Sequence, residues 1–435
     1  MAMKKTNIKN VIFFAVLSLL TITAFIIPLR PDKSYREKRE LAKFPEFSLE
    51  TLLSGDYFDD ISYWFADTFP GREIWIDINE KISALYGFGD SIDMSVAQKG
   101  DEIPDASVST QTTEVVYPQV TSQANAAEIT PEPTATVNIE EFESESYGAV
   151  MVIDGSAYSA LRFSLEDSNN CAAMLNRFGN SLSENGIKLY FAPAPTSVGI
   201  MIPEELSEKL NCSPQGEIIE YLASQMNENV ITVNSYDLLK EHSNEYLYFH
   251  SDHHWTALGA YYHYLAFCDA AGINGASLDE FDVAEQGTFK GSSYSSSYIN
   301  TSKLKEDYVT AYVPKGNVYL STGGTPYPPV IDKSNEDATT KYLCFLNGDR
   351  AQTVIVNDDL PNAPDCIVLK DSFGNPFVEY LTANYHKVYV LDYRYYESGI
   401  LQFALNNNVS DIIVCLSVAV TQTSGPLTCL SYRLS

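Results

Sequence analysis

The fold is decided at residues 366–376, which read CIVLKDSFGNP. Residues 366–369 are a short apolar run, typical of a buried strand, and Pro376 suits the first turn of a helix predicted over 377–384. Ser372 therefore stands at a strand-to-helix turn. There its own N–H, with those of the first helical turn, can stabilise a negatively charged oxygen.

A second stretch, residues 248–256, reads YFHSDHHWT, and five of the six histidines lie between His242 and His263. Asp252 and His254 are two residues apart. A carboxylate beside an imidazole holds one ring tautomer and stabilises the imidazolium that forms when the ring takes a proton. A serine at a strand–helix junction is more often only a helix cap. Together with the Asp252-x-His254 element, however, Ser372 completes a candidate triad of nucleophile, base and orienting acid.

Predicted strands and helices alternate from residue 149 to the end of the chain, which favours an α/β fold with a mostly parallel sheet. Functional groups in such sheets gather at the carboxyl ends of the strands. Residues 271–340 interrupt the alternation without a strong period. The predicted strands are 150–153, 188–192, 230–233, 342–346, 366–369, 388–391 and 412–416; the predicted helices are 168–185, 216–227, 377–384, 400–406 and one capped by Thr256.

Four further residues are candidates for binding a substrate oxygen. Asn375, Asn347 and Gly348 could donate hydrogen bonds to an oxyanion, although each is more often a turn residue. Arg394 follows the strand at 388–391. It could hold a substrate oxygen or form an ion pair with a neighbouring aspartate, Asp371 or Asp392.

The N-terminal third has a different organisation. Residues 11–29 are apolar and long enough to cross a membrane, so we predict a cytoplasmic head at 1–10 and an uncleaved transmembrane signal anchor at 11–29. A membrane-proximal helical segment at 30–95 and a Ser/Thr/Pro-rich linker at 96–146 are expected to follow. The linker leads to the α/β domain at 147–435.

Two features of the sequence predict opposite orientations in the membrane. Six basic residues between Arg30 and Lys43, against three before the span, favour the reverse topology under the positive-inside rule. A ten-residue head before a long domain favours the arrangement that we predict, a single-pass cell-membrane protein with its C-terminal domain outside.

The formal charge of −29 argues against nucleic acid as a partner.

The residues at 252–256, 370–375 and 392–395 together resemble the bacterial DHHW proteins, which are similar to the SGNH hydrolase-like domains of the alginate O-acetylation proteins. The resemblance covers about 147–435. It implies a flavodoxin-like SGNH-hydrolase-type sheet in permuted order, in which Asp252 orients His254, His254 is the base and Ser372 takes the acyl group. The sequence departs in three ways from ordinary SGNH esterases, which carry Gly-Asp-Ser early in the chain and Asp-x-x-His late. Here the Asp-x-His element precedes the serine, the spacing between its Asp and His is one residue shorter, and Lys370 replaces the glycine.

The expected function is transfer or hydrolysis of O-acetyl groups on a cell-surface or exopolysaccharide glycan, without a cofactor. The resemblance suggests a membrane O-acyltransferase as the acetyl donor. Two alternatives remain open. Asp252 with the histidines could bind a divalent metal, although adjacent His253 and His254 on an extended run would point to opposite faces. The chain's 29 tyrosines and 21 phenylalanines could instead serve a non-catalytic glycan-binding or assembly protein.

Overall fold

The chain divides into two compact units, Met1–Ser91 and Ile92–Ser435. In the first, the two-residue strands Lys33–Ser34 and Arg39–Glu40 pair antiparallel. The predicted head and span at 1–29 lie outside the described residues. Within the part of the chain that is described, no helix has both the length and the apolar character needed to cross a membrane. The computed structural model describes residues 33–34, 39–40, 43–44, 57, 61, 64–65, 68, 99–105, 144–147, 150–293, 304–321, 329–333 and 338–434.

The second unit has a mixed α/β fold with a central sheet. Its strands are β1 Ser144–Tyr147, β2 Val150–Ile153, β3 Ser156–Ser159, β4 Lys188–Ala194, β5 Val230–Thr232, β6 Phe281–Phe289, β7 Asp307–Pro314, β8 Val318–Ser321, β9 Gln352–Asn357, β10 Asp365–Lys370, β11 Lys387–Asp392 and β12 Asp411–Ser417. Its α-helices are α1 Leu165–Ser183, α2 Ser197–Ile200, α3 Glu204–Lys209, α4 Gln215–Gln225, α5 Tyr236–Glu241, α6 Ala257–Ala271, α7 Gly374–Leu381, α8 Ile400–Asn406 and α9 Ser424–Leu434.

The central sheet has seven strands in the order β8-β9-β11-β10-β12-β4-β5. The five strands from β11 to β5 are parallel to one another, whereas β9 and β8 add an antiparallel edge. The mostly parallel sheet is thus as predicted. Because parallel strands end at the same edge, the segments that follow β10, β11 and β12 meet on one side of the unit.

Strand β10 lies between β11 and β12, and helices cover both faces of the sheet. Ile367 and Leu369 pack into one apolar cluster with α1 and α4, while Cys366 and Val368 pack into a second cluster with α6 and α7. This alternation is the two-residue period of a strand. A strand buried on both faces is apolar throughout, which explains the unbroken run that predicted it.

The predicted strand at 342–346 is wrong. Lys341–Cys344 form a 3-10 helix instead, and Phe345 makes an isolated bridge to Ile331. A short apolar run shows only that its side chains are buried, as Tyr342 is here, so it cannot distinguish a strand from a tight helical turn.

The region 271–340 contains strands that the sequence did not predict. Strands β6 and β7 pair antiparallel, with a register shift between Glu285 and Gly287. Such a bulge moves the following side chains to the other face, so apolar residues do not alternate along β6. The bulge therefore explains why residues 281–289 show no clear two-residue period.

The described ends of the predicted linker belong to the second unit and form hydrogen bonds with other parts of it. The N–H of Asp101 donates to the carbonyl of Phe163 at 2.9 Å, and a carboxylate oxygen of Asp101 accepts from the N–H of Leu165 at 2.9 Å. At the other end, β1 pairs antiparallel with β2. Residues 106–143 lie outside the described part of the chain.

Candidate active site

The stretch 248–256 is docked against the turn that follows β10. Tyr248 and Trp255 form an antiparallel bridge across it. The indole N–H of Trp255 donates to the carbonyl of Phe373 at 2.9 Å. The side chain of Thr256 then caps α6 by accepting from the N–H of Gly259 at 3.3 Å. These contacts bring the histidine-rich loop to the carboxyl end of the sheet.

Asp252, His254 and Ser372 lie in one hydrogen-bonded series. Nδ1 of His254 is 2.5 Å from Oδ1 of Asp252, and Nε2 of His254 is 2.7 Å from Oγ of Ser372. A carboxylate only accepts, so Nδ1 carries the proton and Nε2 of the neutral ring accepts from the serine hydroxyl. Asp252 and His254 are buried, and Ser372 is partly exposed. The ring is therefore oriented to take a proton from Ser372.

Asp252 is fixed by backbone donors as well as by the ring. Its Oδ1 also accepts from the N–H of His254 at 3.0 Å, and its Oδ2 accepts from the N–H of Ser292 at 2.6 Å. The chain at Gly291 passes so close that a Cβ there would lie 2.3 Å from both the Cβ of Asp252 and the carbonyl oxygen of Ser251. Only glycine allows this approach.

Tyr342 is a site residue that the sequence did not indicate. Its ring stacks on that of His254, with centroids 4.2 Å apart and planes at 14°. Its hydroxyl donates to the carbonyl of Ser372 at 2.8 Å. Burial, reinforced by the nearby carboxylates of Asp252 and Asp349, holds the pKa of Tyr342 well above its usual value, so the hydroxyl keeps its proton. The ring thus limits the movement of His254.

Four charged side chains form a cluster beside the serine turn. Nζ of Lys370 contacts Oδ1 of Asp349 at 2.8 Å and Oδ2 of Asp392 at 2.9 Å. Nη2 of Arg394 contacts Oδ2 of Asp349 at 2.8 Å and Oδ2 of Asp392 at 2.6 Å. Of the two ion pairs that the sequence left open for Arg394, the structure contains the one with Asp392, and it adds Asp349. The pKa of Lys370 is raised: burial lowers it, but the two carboxylates outweigh that effect.

The turn after β10 leaves one backbone donor beside the serine hydroxyl. The N–H of Phe373 donates to Oδ1 of Asp371 at 2.8 Å, and the N–H of Asn375 donates to the carbonyl of Ser372 at 3.2 Å. The N–H of Ser372 itself pairs with no residue in the described part of the chain. Burial raises the pKa of the Asp371 carboxyl. An oxygen atom bound next to the Ser372 hydroxyl could therefore accept a hydrogen bond from the backbone N–H of Ser372.

The remaining candidate donors are engaged elsewhere. Nδ2 of Asn375 donates to Oδ1 of Asp349 at 3.0 Å, so this amide is tied to the charge cluster. Nδ2 of Asn347 donates to the carbonyl of Pro329 at 3.2 Å. Asn347 and Gly348 have φ values of 56° and 86°, the left-handed conformation of a tight turn.

His253 and His254 do not point to opposite faces as the sequence predicted. Their ring centroids are 3.8 Å apart, because residues 251–254 bend and are not an extended strand. One ligand atom each of Asp252, His253 and His254 lies within 4.8 Å of the others, a spacing that a metal ion could bridge. His253 is exposed, and its Nδ1 lies 2.8 Å from Oγ of Ser292.

Sequence comparison places these residues in a known family. The pattern of the family described as DHHW protein matches residues 37–129 and 120–391. No curated protein sequence matches the chain.

Solved structures share the fold. A DHHW family protein from Eubacterium siraeum superposes with a TM-score of 0.61 at 24% identity, covering 67% of this chain and 98% of that one. Bacillus cereus PatB1, solved with a sulfonyl adduct, superposes with a TM-score of 0.52 at 17% identity, covering 68% of this chain and all of that one, 100%. Since the family pattern spans most of the sequence, the chain belongs to the DHHW family.

Proposed function

We propose that this protein is a carbohydrate O-acetyltransferase or acetylesterase in which Ser372 is the nucleophile, His254 the general base and Asp252 the residue that orients the base. The observation that carries the proposal is the continuous series from Asp252 through His254 to Ser372, with steps of 2.5 and 2.7 Å. Membership of the DHHW family, which resembles the SGNH hydrolase-like domains of the alginate O-acetylation proteins, supports acyl transfer as the reaction.

In the first half-reaction, Oγ of Ser372 attacks the carbonyl carbon of an acetyl ester while Nε2 of His254 takes the hydroxyl proton. The N–H of Ser372 donates to the oxyanion that forms. The tetrahedral intermediate then expels the donor alcohol, which receives the proton from Nε2. Ser372 is left carrying the acetyl group. Asp252 stabilises the imidazolium that exists between the two proton transfers.

In the second half-reaction, a hydroxyl group attacks the acetyl-serine, and His254 takes its proton and returns it to Oγ of Ser372. If the attacking group is a sugar hydroxyl, the product is an acetylated glycan. If it is water, acetate is released and the protein is an esterase. The partial exposure of Ser372 is compatible with access by a polymer chain.

The wider setting is part of the same proposal. We infer an SGNH-type domain in permuted order, because the Asp-x-His element stands 118 residues before the serine that it serves. We also infer anchoring to the cell membrane through residues 11–29, with the second unit outside the cell. A membrane O-acyltransferase would supply the acetyl groups, and a cell-surface or exopolysaccharide glycan would accept them.

Hydrolysis of p-nitrophenyl acetate by the purified full chain tests the catalytic proposal. We expect turnover that disappears in Ser372→Ala and survives a chelator. The matched control is Ser235→Ala, which removes another buried serine–histidine hydrogen bond of 2.7 Å, to His263, and should leave turnover unchanged.

Other results would favour the alternatives. Turnover lost with a chelator would favour a metal held by Asp252, His253 and His254, whose ligand atoms are close enough to share an ion. No turnover by the wild-type chain would favour a glycan-binding or assembly protein.

A further inference from the structure

Asp307, the first residue of β7, accepts four hydrogen bonds from the segment that precedes Asp252. Its Oδ1 accepts from the hydroxyl of Tyr246 at 2.5 Å and from the N–H of His250 at 2.7 Å. Its Oδ2 accepts from the N–H of Ser251 at 2.6 Å and also from the Ser251 hydroxyl. The side chain is almost fully buried, at 1% exposure. Both carboxylate oxygens are thus occupied by donors from one loop.

The carboxyl group suits these partners only when it is ionised. All four partners donate, and a carboxylate only accepts. Burial raises the pKa of Asp307 to about 6, and the hydrogen bonds from Ser251, Tyr246 and His250 oppose that effect. At neutral pH the group is therefore mostly a carboxylate.

The same loop is held from its other side by the backbone at 291–293. The hydroxyl oxygen of Ser251 accepts from the N–H of Gly291 at 2.9 Å, and the carbonyl of Ser251 accepts from the N–H of Ser293 at 3.1 Å. Between these two contacts, the N–H of Ser292 donates to Asp252. Ser251 therefore links the Asp307 carboxylate to the segment that fixes Asp252.

We infer that Asp307 is a positioning residue for acyl transfer: it holds residues 250–251 so that Asp252 reaches Nδ1 of His254. The inference rests on the function proposed above. The carboxylate of Asp307 bonds to the loop and not to Ser372 or His254, so it acts on the triad through the loop. No feature of the sequence around Asp307 pointed to this role.

The test is Asp307→Asn in the full chain. The amide has one acceptor oxygen, so it can satisfy only one pair of donors and turns an N–H group toward the other pair. Misplacement of Asp252 by about 1 Å would lower kcat roughly 100-fold, with little change in KM for p-nitrophenyl acetate. The acid-side pKa of the kcat/KM profile should also fall, because Asp252 would stabilise the His254 imidazolium less well.

A purely structural role predicts a different result. It would reduce the fraction of folded protein but leave the kinetic pKa of the folded molecules unchanged. The matched control is Asp411→Asn at the start of β12, where Asp411 accepts from Tyr385 at 3.1 Å and from Ser410 at 3.0 Å. This position is at the amino end of the sheet, so the variant should keep the wild-type kinetic pKa.

Two outcomes separate this inference from the proposed function. Wild-type kcat and kinetic pKa in Asp307→Asn, with Asp252→Asn inactive, would overturn the role of Asp307 alone. If Asp252→Asn is also fully active, the proposed triad fails. If Asp307→Asn does not fold, Tyr246→Phe can be used instead, because it removes one of the four donors to Asp307. It should lower kcat and the kinetic pKa by less than Asp307→Asn would. Wild-type values of both in Tyr246→Phe would overturn the inference.

Discussion

Replacing Asp252 by asparagine changes a single atom in the proposed triad. Oδ1 of Asp252 accepts from Nδ1 and from the backbone N–H of His254, and Oδ2 accepts from the N–H of Ser292. In the variant, one of these positions must hold an NH₂ group that faces N–H donors. If it replaces Oδ1, Nδ1 of His254 has to become the acceptor, and the ring proton moves to Nε2, where it blocks proton transfer from Ser372.

The magnitude follows from that change of tautomer. The equivalent substitution in a chymotrypsin-type protease, whose Asp, His and Ser side chains are hydrogen-bonded in the same order, lowers kcat about 10⁴-fold, or about 5.4 kcal/mol of transition-state stabilisation. The contacts of 2.5 and 2.6 Å on Asp252 are as close as those of a strong charge-assisted hydrogen bond. We therefore expect Asp252→Asn to lose roughly 10³- to 10⁴-fold in kcat.

The assay is steady-state hydrolysis of p-nitrophenyl acetate by the full chain, with far-UV circular dichroism to verify folding. Asp365→Asn is the matched control, since Asp365 accepts from the N–H of Lys387 at 3.1 Å at the amino end of β10. It should retain wild-type turnover. Turnover by folded Asp252→Asn within about threefold of wild type would show that Asp252 does not set the tautomer of His254, because a change of tautomer should cause a far larger loss.

Three further variants test the surroundings of the site. Glu379→Gln should raise the free energy of unfolding at pH 7, because the variant does not have to take up a proton when it folds. Burial holds the pKa of Glu379 well above its usual value, so the folded chain keeps a proton that the unfolded chain releases. The contribution of Glu379 to wild-type stability should therefore decline as pH rises above about 4.5, and urea titrations should show a flatter profile in the variant. Lys370→Met leaves two carboxylates with only the Arg394 cation and should cost about 3–5 kcal/mol in the same titrations. Gly291→Ala should lower turnover at least about tenfold by displacing Asp252, whereas Gly399→Ala, with no atom within 4 Å of the added Cβ, should not.

The parallel centre of the sheet was predictable because its strands are buried on both faces. Such strands are continuous apolar runs, as at 366–369 and 412–416. The antiparallel strand β9 and the bulged pair of β6 and β7 were not predicted, since β9 has only three consecutive apolar residues and the bulge disrupts the alternation along β6.

For the site, sequence reasoning identified the residues whose chemistry is unusual for their position. It proposed that Ser372 and His254 meet, and they lie 2.7 Å apart. It missed Tyr342 and Asp307, because a buried tyrosine and a strand aspartate are common and only the tertiary fold places them against the histidine loop.

Covalent labelling of the full chain by a serine-directed phosphonate would show whether Ser372 is the nucleophile, with the modified residue located by mass spectrometry of the digested protein. We expect one adduct, on Ser372, formed much more slowly in His254→Ala and absent in Ser372→Ala. Continued ester hydrolysis with no adduct on Ser372, or an adduct on another serine that abolishes turnover, would contradict this expectation.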